Sequence, residues 1–204
     1  MAIRFSSPLA EAKYPWLKGI LDTFYISDSE VESHIRKISP TEGAPACHQG
    51  CHACCLKPTV PITEPELAVI SWFSSEVLSG VLRGQVKTRL FEHNERLECP
   101  FLVDRKCSIY DVRPLICRQF LVKTRPCEIG EDVLQTRPHD VIALPRETVI
   151  RPVAMRLLDH YKFKSANAKR KAFEAGFIHK NAREMHLYDW ANIAKTMDLF
   201  DGIG

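Results

Sequence analysis

Apolar positions recur at helical spacing along most of this chain and lose all period in one stretch. Residues 12–25 place Trp16, Leu17, Ile20, Leu21 and Phe24 on one face, which predicts an amphipathic helix with a core-facing aromatic side. Ser27, with Glu30 three positions on, spells a capping box and predicts a second helix carrying Val31 and Ile35. Ser39-Pro40 and the run Thr41 to Pro45 then read as a connector. Thr63 and Glu66 form another capping box, Ile62 can staple to Leu67, and Pro65 falls in the first turn, where its missing N–H has no helical partner. The buried stripe Leu67, Ile70, Phe73 and Val77 follows, with Gly80 as its stop. A partner helix is predicted from about Val81 to Arg96 with Leu82, Val86 and Leu90 inward, so 63–96 forms a helical hairpin.

Beyond residue 98 the pattern shortens. Phe101-Leu102-Val103 and Ser108-Ile109-Tyr110 flank an Asp104-Arg105-Lys106 turn, compatible with a small hairpin. Pro114 suits the first position of a short helix that sets Cys117 and Phe120 one turn apart. Thr136 to His139 and Leu144-Pro145 are loop signals. A helix is predicted from Pro145 with Val149, Val153, Leu157 and Tyr161 spaced by four, and Pro152 kinks it or marks its true start. Leu187, Trp190, Ile193, Met197 and Phe200 define the last amphipathic helix, ended by Gly202.

The aperiodic stretch is also where the chemistry lies. All eight cysteines fall between residues 47 and 127. Cys47, Cys51, Cys54 and Cys55 make a C-x3-C-x2-C-C cluster, and Cys99, Cys107, Cys117 and Cys127 are spread after it. Buried inert thiols would account for one or two scattered cysteines, not for four within nine residues beside His48, His52 and Gly50. A disulfide framework suits short secreted chains, and this one is long and opens without an apolar signal segment. Metal binding is the expectation. Gly50 can supply a positive φ between ligands, and small Ala53 allows a close turn. His48 and His52 are candidate ligands ranked below the cysteines, better suited to hydrogen-bonding neighbours of them.

Four motifs in order carry a resemblance: the opening cluster, Cys99-Pro100-Phe101-Leu102, Cys107-Ser108-Ile109-Tyr110, and Arg113-Pro114-Leu115-Ile116-Cys117-Arg118-Gln119-Phe120. Over roughly 47–127 the chain resembles the CxxCxxCC, or YkgJ-type, cysteine-cluster family, described as a zinc- or iron-chelating domain. The first gap here holds three residues where the family's name has two. The resemblance implies that all eight cysteines serve metal. It also implies a distant relation to flagellin lysine N-methylases, which contain a related cysteine cluster.

Composition adds limits. With 45% hydrophobic and 26% charged residues, the chain reads as a globular protein with no membrane-length apolar run, expected in the cytoplasm. A net charge of +3 does not imply a nucleic-acid partner, and the basic run 164–174 reads as a solvated helix face. Between Cys99 and Cys127, six bases face only two acids, an excess that either offsets bound thiolates or forms a solvated basic face. Arg113 and Arg118 fit a contact with the cluster or an anion as well as they fit ion pairs. The expected fold is mainly α, a small helical domain around an irregular cysteine-rich core with at most a short β-hairpin. It divides into a helical segment 1–46, a cysteine domain 47–130 and a helical extension 131–204. An iron–sulfur cluster is the leading cofactor because the ligands group in one loop, with zinc as the alternative. The function expected is metal binding; an iron–sulfur-dependent enzyme or a zinc-stabilised interaction module are the alternatives. The sequence singles out no catalytic residue, substrate or protein partner.

Overall fold

A computed structural model describes residues 2–48, 50–56, 60–93 and 98–200. The short α1, Pro8–Lys13, leads into α2, Pro15–Glu42, which runs unbroken for 28 residues. The second helix expected to start at Ser27 is therefore not separate. Leu17, Ile20, Leu21, Phe24, Ser27 and Val31 form one continuous buried stripe, so packing overrides the local capping signal. Ser27 is wholly buried, and its hydroxyl accepts a hydrogen bond from Gln119 Nε2 at 3.2 Å. Pro40 lies in the last turn, and Gly43, at φ +85°, ends the helix.

The capping box at Thr63 forms as expected and opens α3, Glu64–Trp72. The helix then widens, with the Leu78 N–H reaching back five residues to the Phe73 carbonyl. Leu78 is the stop, and Gly80 opens α4, Gly80–Phe91, rather than ending α3. Val86 and Leu90 face inward as expected, but Leu82 is 38% exposed, because the first turn of α4 lies beyond the packed stretch. The expected end of this helix at Arg96 lies outside the described residues.

β1, Pro61–Ile62, pairs antiparallel with the distant β4, Arg183–Glu184, while β2, Leu102–Val103, pairs with β3, Lys106–Cys107. Short helices α5, Leu115–Gln119, and α6, Val133–Thr136, come next. α7, Arg151–Leu157, is entered through another wide turn over Arg146–Ile150, which accommodates Pro152 in the first turn. α8, Ala166–Glu174, α9, Phe177–Lys180, and α10, Trp190–Asp198, complete the chain. Leu187 stands 53% exposed before α10, and Met185 takes the core position instead. The expected stop at Gly202 lies outside the described residues.

The fold is mainly α with small antiparallel pairs, as the periodicity predicts. A single apolar cluster joins α2, α3, α4, α7, the β2–β3 hairpin and α10. Trp190 is at its centre, edge-on to Phe101 with centroids 5.0 Å apart. Among the described residues, no helix is long and apolar enough to cross a membrane.

Candidate metal centre

All eight cysteines are described, and all are free thiols. The opening loop is held by short backbone bonds. Ala46 N–H donates to the Val122 carbonyl at 2.8 Å, which fixes Cys47 against the segment between Cys117 and Cys127. Gly50 adopts φ +87°, a backbone conformation that favours glycine, and Cys51 N–H closes onto the His48 carbonyl at 3.0 Å. Ala53 to Leu56 then form a tight helical turn that carries Cys54 and Cys55.

The two cysteine groups meet through the backbone: Cys99 N–H donates to the Cys55 carbonyl at 2.7 Å. From there Leu102 N–H turns back onto Cys99, and the β2–β3 hairpin sets Leu102 opposite Cys107. Its two turn residues, Asp104 and Arg105, lie at φ +47° and +61°, the backbone of a primed two-residue hairpin turn. Cys117 sits in α5, whose entry is held from below: Glu66 Oε1 accepts Leu115 N–H at 2.8 Å.

These constraints bring the thiols within reach of one another's charge. Cys47 feels Cys51 and Cys54, and Cys127 feels Cys47, Cys51 and Cys54. On the other side, Cys55 feels Cys99 and Cys107, and Cys117 feels Cys99, Cys107 and Cys54. Cys54 and Cys55 stand at the junction and share a hydrogen bond. That bond holds the Cys54 pKa down to about 7 and drives Cys55 up. Burial pushes Cys99 to about 12 and raises Cys47, Cys107 and Cys127, while Cys117 rises well above its ordinary value. As residues, Cys117 and Cys54 nevertheless keep exposed surface. Among the described residues, no three His, Cys, Asp or Glu side chains are gathered at the spacing of a single bound ion.

The neighbouring bases are largely committed elsewhere. Arg118 is buried, pairs with Asp28 of α2, donates to the Arg113 and Asp111 carbonyls, and covers the Phe24 ring. Arg113 stacks on Tyr110 and lies 3.6 Å from Asp28. Lys123 pairs with Glu42, and Arg125 with Glu128 and Glu131. Acids from outside the 99–127 segment thus absorb much of its positive excess. His52 Nδ1 faces the Gly50 carbonyl at 3.0 Å, and His48 lies beside the opening turn. Sequence reasoning missed Asp28 and the second role of Glu66; α2 periodicity could have flagged the first, and nothing local signals the second. Two surface clefts are lined by residues of α1 and α3 and by Arg151, Arg170 and Lys171, with no cysteine in either.

Residues 46–139 match the family model described as "CxxCxxCC: Putative zinc- or iron-chelating domain". No curated protein and no solved structure matches the chain.

Proposed function

We propose that the protein binds an iron–sulfur cofactor through its eight cysteines, arranged as two thiol sets that meet at Cys54 and Cys55. One set is Cys47, Cys51, Cys54 and Cys127; the other is Cys55, Cys99, Cys107 and Cys117. The observation that carries this reading is the crowding of the thiols, which stand close enough to act on one another's ionisation across the two cysteine groups. Such a cofactor would supply electron storage or an open iron for ligand binding. The protein's own part is to hold the thiols, exclude water from the Cys99 side and leave the Cys54 and Cys117 side accessible.

Zinc is the second reading, favoured by the set Cys55, Cys99, Cys107 and Cys117, in which a hairpin and a short helix present four thiols. Anaerobic purification followed by iron, zinc and acid-labile sulfide analysis with an absorption spectrum separates the two. Iron and sulfide with a brown chromophore are expected. Stoichiometric zinc in a colourless protein would overturn the cluster and select zinc.

A further inference from the structure

Behind Cys99 lies a pair of histidines that none of this accounts for. His93, just past α4, is 2% exposed. Its Nε2 lies 3.1 Å from the backbone carbonyl of His186. A carbonyl only accepts, so Nε2 carries the proton, and a neutral imidazole then has a bare lone pair on Nδ1. Desolvation, with the nearby charge of Arg89 adding to it, keeps this ring neutral. That Nδ1 is buried and has no hydrogen-bond partner among the described residues. The His186 ring stands edge-on with its centroid 4.6 Å away, and its Nδ1 is likewise buried and unpartnered.

The backbone around His186 is built rather than loose. Met185 N–H donates to Val60 at 2.7 Å, and Trp190 Nε1 donates to the Met185 carbonyl at 2.7 Å. Met185 Sδ in turn lies 4.0 Å from Cys99 Sγ. An imidazole whose far nitrogen is tied to a carbonyl, with its near nitrogen bare, is the arrangement in which metal-ligating histidines are held. The two rings thus carry two buried nitrogens without hydrogen-bond partners, with centroids 4.6 Å apart.

We propose that His93 Nδ1 and His186 Nδ1 together form a second, thiolate-free site for a borderline divalent metal ion. Each nitrogen would bind at about 2.0–2.1 Å, and water would complete the shell. Arg89 opposes a cation here, but its Nη2 is paired with Glu98 at 2.7 Å, which offsets part of that charge. The site is consequently weaker than a thiolate centre and fills after it. The proposal does not depend on which metal the cysteines hold.

The test is a Co²⁺ titration of the metal-free full chain, with the sulfur-to-metal band reporting the thiolates. A parallel Zn²⁺ titration is followed at the histidine ring nitrogens by ¹⁵N NMR. One further equivalent is expected after the sulfur band saturates, together with a shift of His93 Nδ1. Both should be lost in His186→Gln and in His93→Gln. His186 is partly exposed, so its variant decides the matter if His93→Gln does not fold. No additional equivalent, its retention in His186→Gln, or a His93 Nδ1 that ignores zinc would overturn the proposal and leave a buried water as the occupant. A failure of the cysteines to bind any metal would show in the sulfur band alone and leave the nitrogen signal readable.

Discussion

Glu66 Oε1 accepts the backbone N–H of Leu115 at 2.8 Å, while its other oxygen accepts from the Thr63 backbone and hydroxyl. One buried carboxylate thus caps α3 and anchors the helix that carries Cys117. Glu66→Gln keeps one acceptor but turns a donor toward the Thr63 N–H. It should lower stability by about 1–3 kcal/mol, the range for a buried donor left unpaired. Chemical denaturation measures this, and metal per chain should fall with it. An unchanged midpoint would show that the α5 anchor lies elsewhere.

Asp28 and Arg118 should behave as a coupled pair. Burial lowers the Arg118 pKa to about 10, with Asp28 opposing that shift. Asp28→Ala leaves a buried guanidinium with only backbone carbonyls, and a cost of about 1–3 kcal/mol is expected. Arg118→Met in that background should recover part of the loss, because the charge that lacked a partner is gone. Arg118→Lys should not substitute, since an ammonium cannot span three acceptors in a plane. A double-mutant cycle measures the coupling, and strict additivity would argue against it.

Gly19 faces the His160 ring so closely that an added Cβ would meet Cε1 at 3.0 Å and Nε2 at 3.2 Å. Mid-helix glycine costs up to about 1 kcal/mol relative to alanine. The substitution therefore sets helix propensity against a clash. Gly19→Ala should destabilise the wild type and stabilise a His160→Ala background. Thermal melts of the four proteins decide it, and the same sign in both backgrounds would remove the steric account.

Acid should weaken the fold through His93 and His160. Desolvation lowers both pKa values, so each ring is neutral when folded and more readily protonated when unfolded. Their contribution is complete above the ordinary value of about 6.5 and is lost as pH falls through the lowered folded values. The melting temperature should drop as pH falls below about 6.5. His160→Gln should flatten that slope; a slope untouched by it would assign the acid sensitivity to other groups.

Metal loading should run the same way with pH. Most of the perturbed thiols are raised and must give up protons to bind, so affinity should increase with pH. Cys54, held near 7, is the first thiolate offered to an arriving ion. Cys54→Ser should lower metal content more than Cys127→Ser, as metal analysis of each serine variant would reveal. Equal content in the two would remove Cys54 from its central place.

Local patterns revealed what depends on neighbours in the chain. The Thr63 capping box, the Asp104-Arg105 hairpin and the positive φ of Gly50 could all be read from residue type and spacing. The failures came where distant packing outweighs local preference. Ser27 looks like a cap, but the stripe on either side of it buries as one surface. Gly80 looks like a helix stop, but the wide turn at Phe73 to Val77 ends α3 first. The crowding of the thiols was legible in the sequence, while the meeting of the two cysteine groups depends on the backbone hydrogen bond from Cys99 to Cys55, which no local pattern signals. The pairing of β1 with β4 left no sequence trace, since two-residue strands have no period to detect.

That pairing also imposes a schedule on synthesis. Pro61 and Ile62 wait for Arg183 and Glu184, about 120 residues further along. At about 5–20 residues per second the ribosome takes roughly 6–24 seconds to deliver them. In the second half of that interval, once Cys127 has been added, all eight thiols have been made, but the strand that closes the Cys99 side has not. The nascent chain therefore passes through a defined period in which its thiols are open to metal and to oxidants.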